Sequence, residues 1–347
     1  MEKLIRKLPK TELHLHLDGS LRVKTVLELA EDREIELPTA DQKGLAEYLQ
    51  VSEDCDSLAE YLEKFDLPLK VMQTEKALTR VTYELLEDAA WENVKYLEIR
   101  FAPLLLTEEL RPAEVVEAVL AGVEKGENKY ELQANIILCC MRHQDPSRSI
   151  ETAQLAVDYS DQGVVGLDLA GDEANFPPEE HEEAFKLAAG AGLHRTVHAG
   201  ETAGAKNVKK AIDYLNAERI GHGIRSKEDK ETLETIKEAG VTLEICPTSN
   251  LHTNAVTDLE QHPIREYYEA GIPITVNTDN RTVSNLTLSQ EYLMLYREFG
   301  FSLAEIQELI LSGIKAAFIS DKEQEKLITE FKSEFETIAG IDNKILE

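Results

Sequence analysis

The sequence has few cysteines for its length, and this shortage excludes several kinds of protein. Cys55, Cys139, Cys140 and Cys246 are the only cysteines among 347 residues, and no two of them are spaced as a CxxC pair. Such usage provides no disulfide framework and favours a reducing, cytoplasmic compartment. We therefore do not expect thiolates to hold a metal ion in this protein.

Basic residues are also scarce, because 37 Lys and Arg stand against 66 Asp and Glu, a formal net charge of −29. Nucleic acids and anionic membrane surfaces attract basic patches, so we expect neither as a partner. No basic start leads into an apolar stretch, and no apolar run is long enough to cross a bilayer. We expect no signal peptide and no transmembrane span. The charge places no restriction on a neutral small-molecule substrate.

No linker rich in Pro, Gly or Ser divides the chain, and its length suits one large α/β barrel or two ordinary domains. A pattern of an amphipathic helix, a glycine and a short apolar strand recurs along it. The helical segments end at Gly126, Gly163, Gly192, Gly240 and Gly271. Strands that alternate with helices pair in parallel, so this pattern favours an α/β fold.

Five strands follow these glycines, and the segments "LHLHLDG", "VKYLEIRFAP" and "RIGHG" bring the candidates to eight. Eight such units predict a (β/α)8 TIM barrel in a single domain spanning residues 1–347. The strands lie at about residues 12–18, 94–103, 132–142, 164–170, 195–200, 219–222, 241–246 and 273–278. The stretch from about 20 to 93 contains several helices, too many for one crossover. We interpret it as an insertion that caps the active site. The tail after residue 301 is predicted to form helices packed on the outside.

The polar residues of interest fall at the predicted carboxyl ends of the strands, where such barrels carry their active sites. In "TELHLHLDGS" (residues 11–20), two histidines alternate with leucines, so a strand points both imidazoles to one face. The residues at these strand ends are His14, His16, Asp18, Asp168, Gly171, His198, Glu201, His222, Asp279 and Asn280. The other five histidines (His143, His181, His194, His252 and His262) fall in predicted helices or loops, and we interpret them as ordinary polar residues.

Three histidines and an aspartate at one mouth make a set of nitrogen and oxygen ligands suited to Zn²⁺ with a position left open for water. Each feature has a simpler explanation on its own. The HxH pair could be a chance strand pattern, Asp279 a helix cap, and His198 a core histidine. Burying the four groups together without a metal would cost several kcal/mol for each unpaired polar group. The set as a whole therefore predicts a metal centre.

Three further side chains complete a hydrolytic site around this centre. Glu201 follows His198 by three residues and is a candidate proton donor, or alternatively a first-turn glutamate favoured by the helix dipole. His222, between two glycines, could orient or deprotonate a water molecule, or be a packing histidine. Asp168 could orient a ligand imidazole or have a purely structural role.

Taken together, the motifs "ELHLHLDG", "DLAGDE", "HAGE", "IGHG" and "NTD" resemble those of the adenosine deaminases, within the amidohydrolase superfamily. They stand in the family's order and close to its spacing, and the resemblance covers roughly residues 8 to 340. It implies a zinc enzyme of purine salvage that hydrolyses the 6-amino group of adenosine to release ammonia and leave inosine, and that acts on 2′-deoxyadenosine in the same way. Its small-molecule partner would be a purine nucleoside.

The resemblance also implies roles for individual residues. The ligands of one zinc ion per chain would be His14, His16, His198 and Asp279. Glu201 would protonate purine N1, and His222 would position and help to activate the hydroxide. Substrate contacts would come from His16, from Asp18 to the ribose hydroxyls, from the N–H of Gly171 to purine N3, and from position 280 to purine N7. The family pattern often has an aspartate at that last position, and Asn280 can donate the same hydrogen bond without holding an extra proton.

The choice of substrate depends largely on one residue. The sequence has "HLDG", whereas related adenine deaminases resemble "HLEG" and nucleotide-acting relatives resemble "HLNG". The shorter Asp18 leaves room for a sugar, which favours adenosine. An adenine deaminase, or a deaminase of a modified adenine nucleoside, remains the alternative. A non-catalytic barrel that binds a metal or a purine is also conceivable, although such a protein would be expected to lose Glu201 or a ligand.

Overall fold

The fold is the predicted (β/α)8 barrel. The computed structural model describes residues 1–39, 41–52, 55 and 57–345. In this part of the chain eight parallel strands form one sheet in sequential order. The strands are β1 (Lys10–His16), β2 (Val94–Phe101), β3 (Gln133–Met141), β4 (Val164–Ala170), β5 (His194–Ala199), β6 (Arg219–His222), β7 (Thr242–Ile245) and β8 (Ile274–Val276).

The helices follow the strands around the outside and fill the predicted insertion. They are α1 (Glu2–Lys7), α2 (Val23–Asp32), α3 (Gln42–Leu49), α4 (Leu58–Leu62), α5 (Asp66–Val71), α6 (Glu75–Trp91), α7 (Pro112–Glu127), α8 (Pro146–Asp158), α9 (Glu182–Gly190), α10 (Ala205–Leu215), α11 (Lys230–Ala239), α12 (Pro247–His252), α13 (Ile264–Glu269), α14 (Leu288–Arg297), α15 (Leu303–Ala316) and α16 (Asp321–Ile345). Of these, α15 packs on β8 and β1, and α16 packs on α15. No helix in the described ranges is both long and apolar enough to cross a membrane.

All eight predicted strands are present. Three of them, β1, β2 and β8, end two residues before the predicted boundary, and the early ends of β1 and β8 bear on the site. β1 ends at His16, so Asp18 lies in the loop that follows rather than at the strand end. β8 has only three residues and stops at Val276, which leaves Asp279 beyond it. Both deviations occur where a strand gives way to the loops of the barrel mouth.

The barrel closes through the segment after β8. Leu15 forms an isolated parallel bridge with Asp279. The backbone N–H of His16 donates to the carbonyl of Asp279 at 2.8 Å, and the N–H of Asp279 donates to the carbonyl of His14 at 3.0 Å. Closure therefore places the side chains of Asp279 and of the two β1 histidines at one point of the mouth.

The interior of the barrel is charged as well as apolar. Arg100 on β2, which is fully buried, pairs with Asp168 at 3.3 Å and with Glu244 at 2.8 Å. Arg219 on β6 pairs with Glu244 at 2.7 Å and also with Glu98. Buried charges of this kind need partners, because an unpaired charge in a low-dielectric interior is very costly.

The helical insertion, predicted at about residues 20–93, contains helices α2 to α6. Positions 40, 53, 54 and 56 of this stretch lie outside the described residues. Side chains from α4, α5 and the turn between them reach the mouth of the barrel, and they include Leu58, Tyr61, Leu62, Phe65 and Leu69. The hydroxyl of Tyr61 lies 3.0 Å from that of Ser284, which joins this part of the insertion to the loop after β8.

Candidate active site and metal centre

A cavity of about 440 Å³ opens at the carboxyl ends of the strands. Eight of the ten residues singled out in the sequence line it: His16, Asp18, Gly171, His198, Glu201, His222, Asp279 and Asn280. The other two, His14 and Asp168, are completely buried beneath it. The fold thus brings together side chains that are spread over more than 260 positions of the sequence.

The four predicted ligands converge at the base of this cavity. Nε2 of His14 lies 3.2 Å from Oδ1 of Asp279, and Nε2 of His16 lies 3.4 Å from the same oxygen. Nε2 of His16 and Nε2 of His198 are 3.2 Å apart. Ligand atoms held ~2.0–2.1 Å from one ion lie roughly 2.9–3.4 Å from each other, so these separations fit a single metal ion.

Buried carboxylates orient two of these imidazoles. Nδ1 of His14 lies 3.0 Å from Glu244, and Nδ1 of His198 lies 3.1 Å from Asp168. A carboxylate at Nδ1 holds the proton on that nitrogen and leaves the lone pair of Nε2 directed at the cavity. Arg100 contacts both carboxylates, so one cation supports two of the candidate ligands.

Close packing and backbone strain hold the remaining groups at the centre. His222 has a φ of 65° and Asp279 a φ of 64°. Both values lie in the left-handed region of backbone conformation, which residues other than glycine rarely adopt. A Cβ atom added to Gly221 would lie only 2.9 Å from Cε1 of His14, so only glycine fits there. Ser249 donates to Oδ2 of Asp279 at 2.7 Å. Strain of this kind is typical of functional sites, where the surrounding structure enforces it.

Glu201 lies on a loop that one buried carboxylate holds in shape. Glu173 accepts hydrogen bonds from the backbone N–H groups of Gly200 at 2.9 Å, Glu201 at 2.7 Å and Ala203 at 2.6 Å. The carboxyl group of Glu201 is itself buried and lies 3.7 Å from Nε2 of His222. Burial, together with the nearby carboxylates of Asp279 and Glu173, raises the pKa of Glu201 well above its usual value. The raised pKa favours the protonated carboxyl group, which is the form that can donate a proton.

Two polar side chains on the opposite wall have unsatisfied oxygens. Oδ1 of Asp18 and Oδ1 of Asn280 are buried, and neither has a hydrogen-bond partner within the described ranges. Burial raises the pKa of Asp18 to about 7. Such atoms on a cavity wall indicate a place where a ligand completes the hydrogen bonds.

The sequence reasoning missed several residues of the site. Arg100 and Glu244 lie outside the quoted motifs, and the only signal was a charged residue inside an apolar strand, as in "YLEIRF" and "TLEICP". Glu173 is the last residue of the quoted motif "DLAGDE", but neither it nor Ser249 was given a role. Three of the histidines interpreted as ordinary polar residues need correction. His143 lines the cavity, His262 is buried against Asn250, and His194 begins β5.

The family model and the most similar curated proteins found by comparison agree on one family. A family model described as adenosine deaminase matches residues 9–334. An adenosine deaminase of Clostridium kluyveri is 46% identical over 349 residues, which covers 100% of this chain and 99% of that protein. An adenosine deaminase of Clostridium botulinum is 47% identical over 324 residues, which covers 93% of this chain and 96% of that protein.

Solved structures share the fold across nearly the whole chain. An adenine deaminase from Arthrobacter aurescens matches with a TM-score of 0.88 at 30% identity, covering 94% of this chain and 98% of that one. The N6-methyl-AMP deaminase of Arabidopsis thaliana matches with a TM-score of 0.84 at 30% identity, covering 96% and 98%. A zinc-bound amidohydrolase from Burkholderia ambifaria matches with a TM-score of 0.89 at 25% identity, covering 98% and 94%.

Proposed function

The chain belongs to the adenosine deaminase family, and we propose that its barrel-mouth cavity hydrolyses adenosine to inosine and ammonia with one zinc ion per chain. The observation that carries this proposal is the convergence of four candidate ligands and the buried carboxyl group of Glu201 at one cavity. Full-length relatives named adenosine deaminase, at 46% and 47% identity, support the choice of adenosine.

The residues that would hold the zinc ion are His14, His16, His198 and Asp279. When bound, zinc acidifies a water molecule so that it can act as a nucleophile near neutral pH. The chain's own contribution is to keep each Nε2 lone pair directed at one point, through Glu244 on His14 and Asp168 on His198.

Proton transfer to the purine is assigned to Glu201. Protonation of N1 makes C6 a better electrophile, and a carboxyl group with a raised pKa is suited to supply that proton. His222, whose Nε2 is 3.7 Å from that carboxyl group, would position the attacking oxygen. The 6-amino group then leaves as ammonia, and the oxygen from water becomes the 6-oxo group of inosine.

Substrate binding is assigned to the polar groups on the other walls. Asp18 would accept hydrogen bonds from the ribose hydroxyls, and the amide of Asn280 would donate to purine N7. The backbone N–H of Gly171 would face purine N3. Gly171 has a φ of 100°, so a residue with a side chain would be strained there.

The charge of the cavity supports a nucleoside rather than a nucleotide. Asp18, Asp66 and Asp172 are among its lining residues, and the lining residues that the structure describes include no Lys or Arg. A 5′-phosphate would find no cationic partner there and would be repelled by the carboxylates. The apolar side chains of α4 and α5 could pack over the sugar, but they provide no group that would bind a phosphate.

A substrate panel on zinc-loaded protein tests this proposal. We expect metal analysis to give one zinc per chain, and rapid loss of the adenosine ultraviolet absorbance. The same change is expected with 2′-deoxyadenosine, with adenine and AMP nearly inert. Faster turnover of adenine would overturn the sugar assignment of Asp18 while leaving the zinc chemistry in place. If folded, metal-bound protein turned over none of these four compounds, the substrate assignment would move to a modified nucleoside.

Exchange of Asn280 for aspartate should make base recognition depend on pH. An amide donates to N7 at any pH, whereas an aspartic acid donates only while it is protonated. We expect Asn280→Asp to retain activity at low pH and to lose kcat/KM for adenosine as the pH rises through the pKa of the new carboxyl group. Profiles of kcat/KM against pH for the two proteins check this. Coincident profiles would show that position 280 does not donate to the base.

A further inference from the structure

A chain of hydrogen bonds leads away from the candidate active site behind His222. Nδ1 of His222 lies 3.0 Å from Nδ2 of Asn250, and Oδ1 of Asn250 lies 3.3 Å from Nε2 of His262. The backbone N–H of Ile264 then donates to Nδ1 of His262 at 3.2 Å. Asn250 is fully buried and does not line the cavity.

The last of these contacts fixes the direction of all the others. The N–H of Ile264 can only donate, so Nδ1 of His262 must be the accepting nitrogen and carries no proton. Burial lowers the pKa of His262 to about 3, so its ring is neutral and its single proton sits on Nε2. That proton can only point to the amide oxygen of Asn250.

The amide of Asn250 determines the direction of the next hydrogen bond, the one to His222 in the active site. With its oxygen accepting from His262, its NH₂ group faces His222 and donates to Nδ1. Nδ1 of His222 is then an acceptor, and the proton of the neutral ring must be on Nε2, the nitrogen near Glu201. The backbone of α13 thus determines, through two side chains, which nitrogen of His222 is protonated.

We propose that Asn250 is a positioning residue that fixes His222 as the Nε2–H tautomer, so that His222 presents a hydrogen-bond donor, not a base, to the oxygen that attacks the purine. The inference deepens the proposed function. It rests on that function in one respect, the identity of the oxygen that attacks the purine.

The same tautomer settles a choice that the geometry leaves open. His14, His198, His222 and Asp279 offer ligand atoms within 4.8 Å of one another, so they are an alternative set for the metal. A protonated Nε2 has no lone pair for a metal, and Nδ1 is occupied by Asn250. His222 is therefore excluded as a ligand, and His16 takes its place.

The tautomer can be measured directly by nitrogen NMR on zinc-loaded protein labelled with ¹⁵N-histidine. Long-range ¹H–¹⁵N spectra distinguish protonated from unprotonated ring nitrogens, and His222→Gln and His262→Gln variants assign the signals. We expect Nε2 protonated and Nδ1 unprotonated in both rings. A protonated Nδ1 in wild-type His222 would overturn the proposal, and this result needs no mutant to fold.

Asn250→Asp then tests the role of the amide. A carboxylate accepts from both sides, so we expect Nδ1 of His222 to gain a proton and kcat for adenosine to fall ~10–100-fold with little change in KM. Asn216→Asp, the same exchange at an exposed helix end, should leave the nitrogen signals and kcat unchanged. Unchanged His222 signals in Asn250→Asp would overturn the inference. The expected signals without turnover of adenosine would instead reject only the proposed function.

Discussion

Replacement of Glu201 by glutamine is expected to lower kcat for adenosine by ~10²–10⁴-fold, the usual contribution of a general acid. Glutamine keeps the size and the hydrogen-bonding capacity of the side chain but has no proton to give to N1. The carboxyl group of Glu201 is buried, and its pKa is raised well above the usual value by that burial and by Asp279 and Glu173. The exchange therefore removes the transferable proton and little else. Steady-state kinetics, with metal analysis of both proteins, measures the effect.

The matched control for this variant is Asp66→Asn, which also removes a carboxylate from the cavity wall. It should change kcat only slightly, because Asp66 lies on α5, away from the metal ligands. A kcat for Glu201→Gln within about tenfold of the wild type, a loss of roughly 1.4 kcal/mol, would reject the acid role. The same acid role predicts that wild-type kcat falls as the pH rises through the raised pKa of Glu201.

Replacement of Arg100 by methionine is expected to lower the free energy of unfolding by ~3–5 kcal/mol, the cost of leaving buried charges without their partner. Arg100 is fully buried and contacts Asp168 at 3.3 Å, Glu244 at 2.8 Å and the carbonyl of Leu13 at 2.6 Å. Methionine fills much of the space but neutralises neither carboxylate. Since these carboxylates orient His198 and His14, we also expect zinc affinity to fall ~10–100-fold.

Arg111→Met is the control for Arg100→Met. Arg111 pairs with Glu114 at 2.7 Å, but its side chain is 79% exposed. Exposed pairs contribute at most ~1 kcal/mol, so this variant should unfold almost like the wild type. Denaturant unfolding and competitive zinc titration of the three proteins give both quantities. Equal losses of stability in the two variants would show that Arg100 does not hold the interior together.

Most of the architecture could be predicted from local sequence patterns. Helical segments that end in glycine, each followed by an apolar strand, gave five strands, and the apolar runs at about residues 12–18, 94–103 and 219–222 gave three more; all eight are present. The boundaries were less accurate at β1 and β8, because loop residues such as Asp18 and Asp279 follow the strands directly and share their polarity pattern. Hydrophobic periodicity locates an element well, but its last residue depends on contacts with other segments.

The candidate site could be predicted in part, for a specific reason. His14, His16, His198 and Glu201 were recognisable because parallel barrels place strand ends at one mouth. Arg100 and Glu244 were not, since a charge inside an apolar segment does not reveal its partner. Glu173 stood in the motif "DLAGDE", but its contacts with the loop of Glu201 exist only in the fold. His262 was misinterpreted because its partner, Asn250, is on α12 while His262 lies in the loop before α13, and its burial is visible only in the fold.

The sequence by itself determined the barrel, the family and the identity of the groups that could perform the chemistry, since these depend on periodicity and on motifs short enough to read. Only the tertiary structure decided which protons those groups hold. The pKa of Glu201 depends on Asp279 and Glu173, and the tautomer of His222 depends on Asn250 and His262. Burial and hydrogen-bond direction are properties of segments brought together by folding, and no single stretch of the chain contains them.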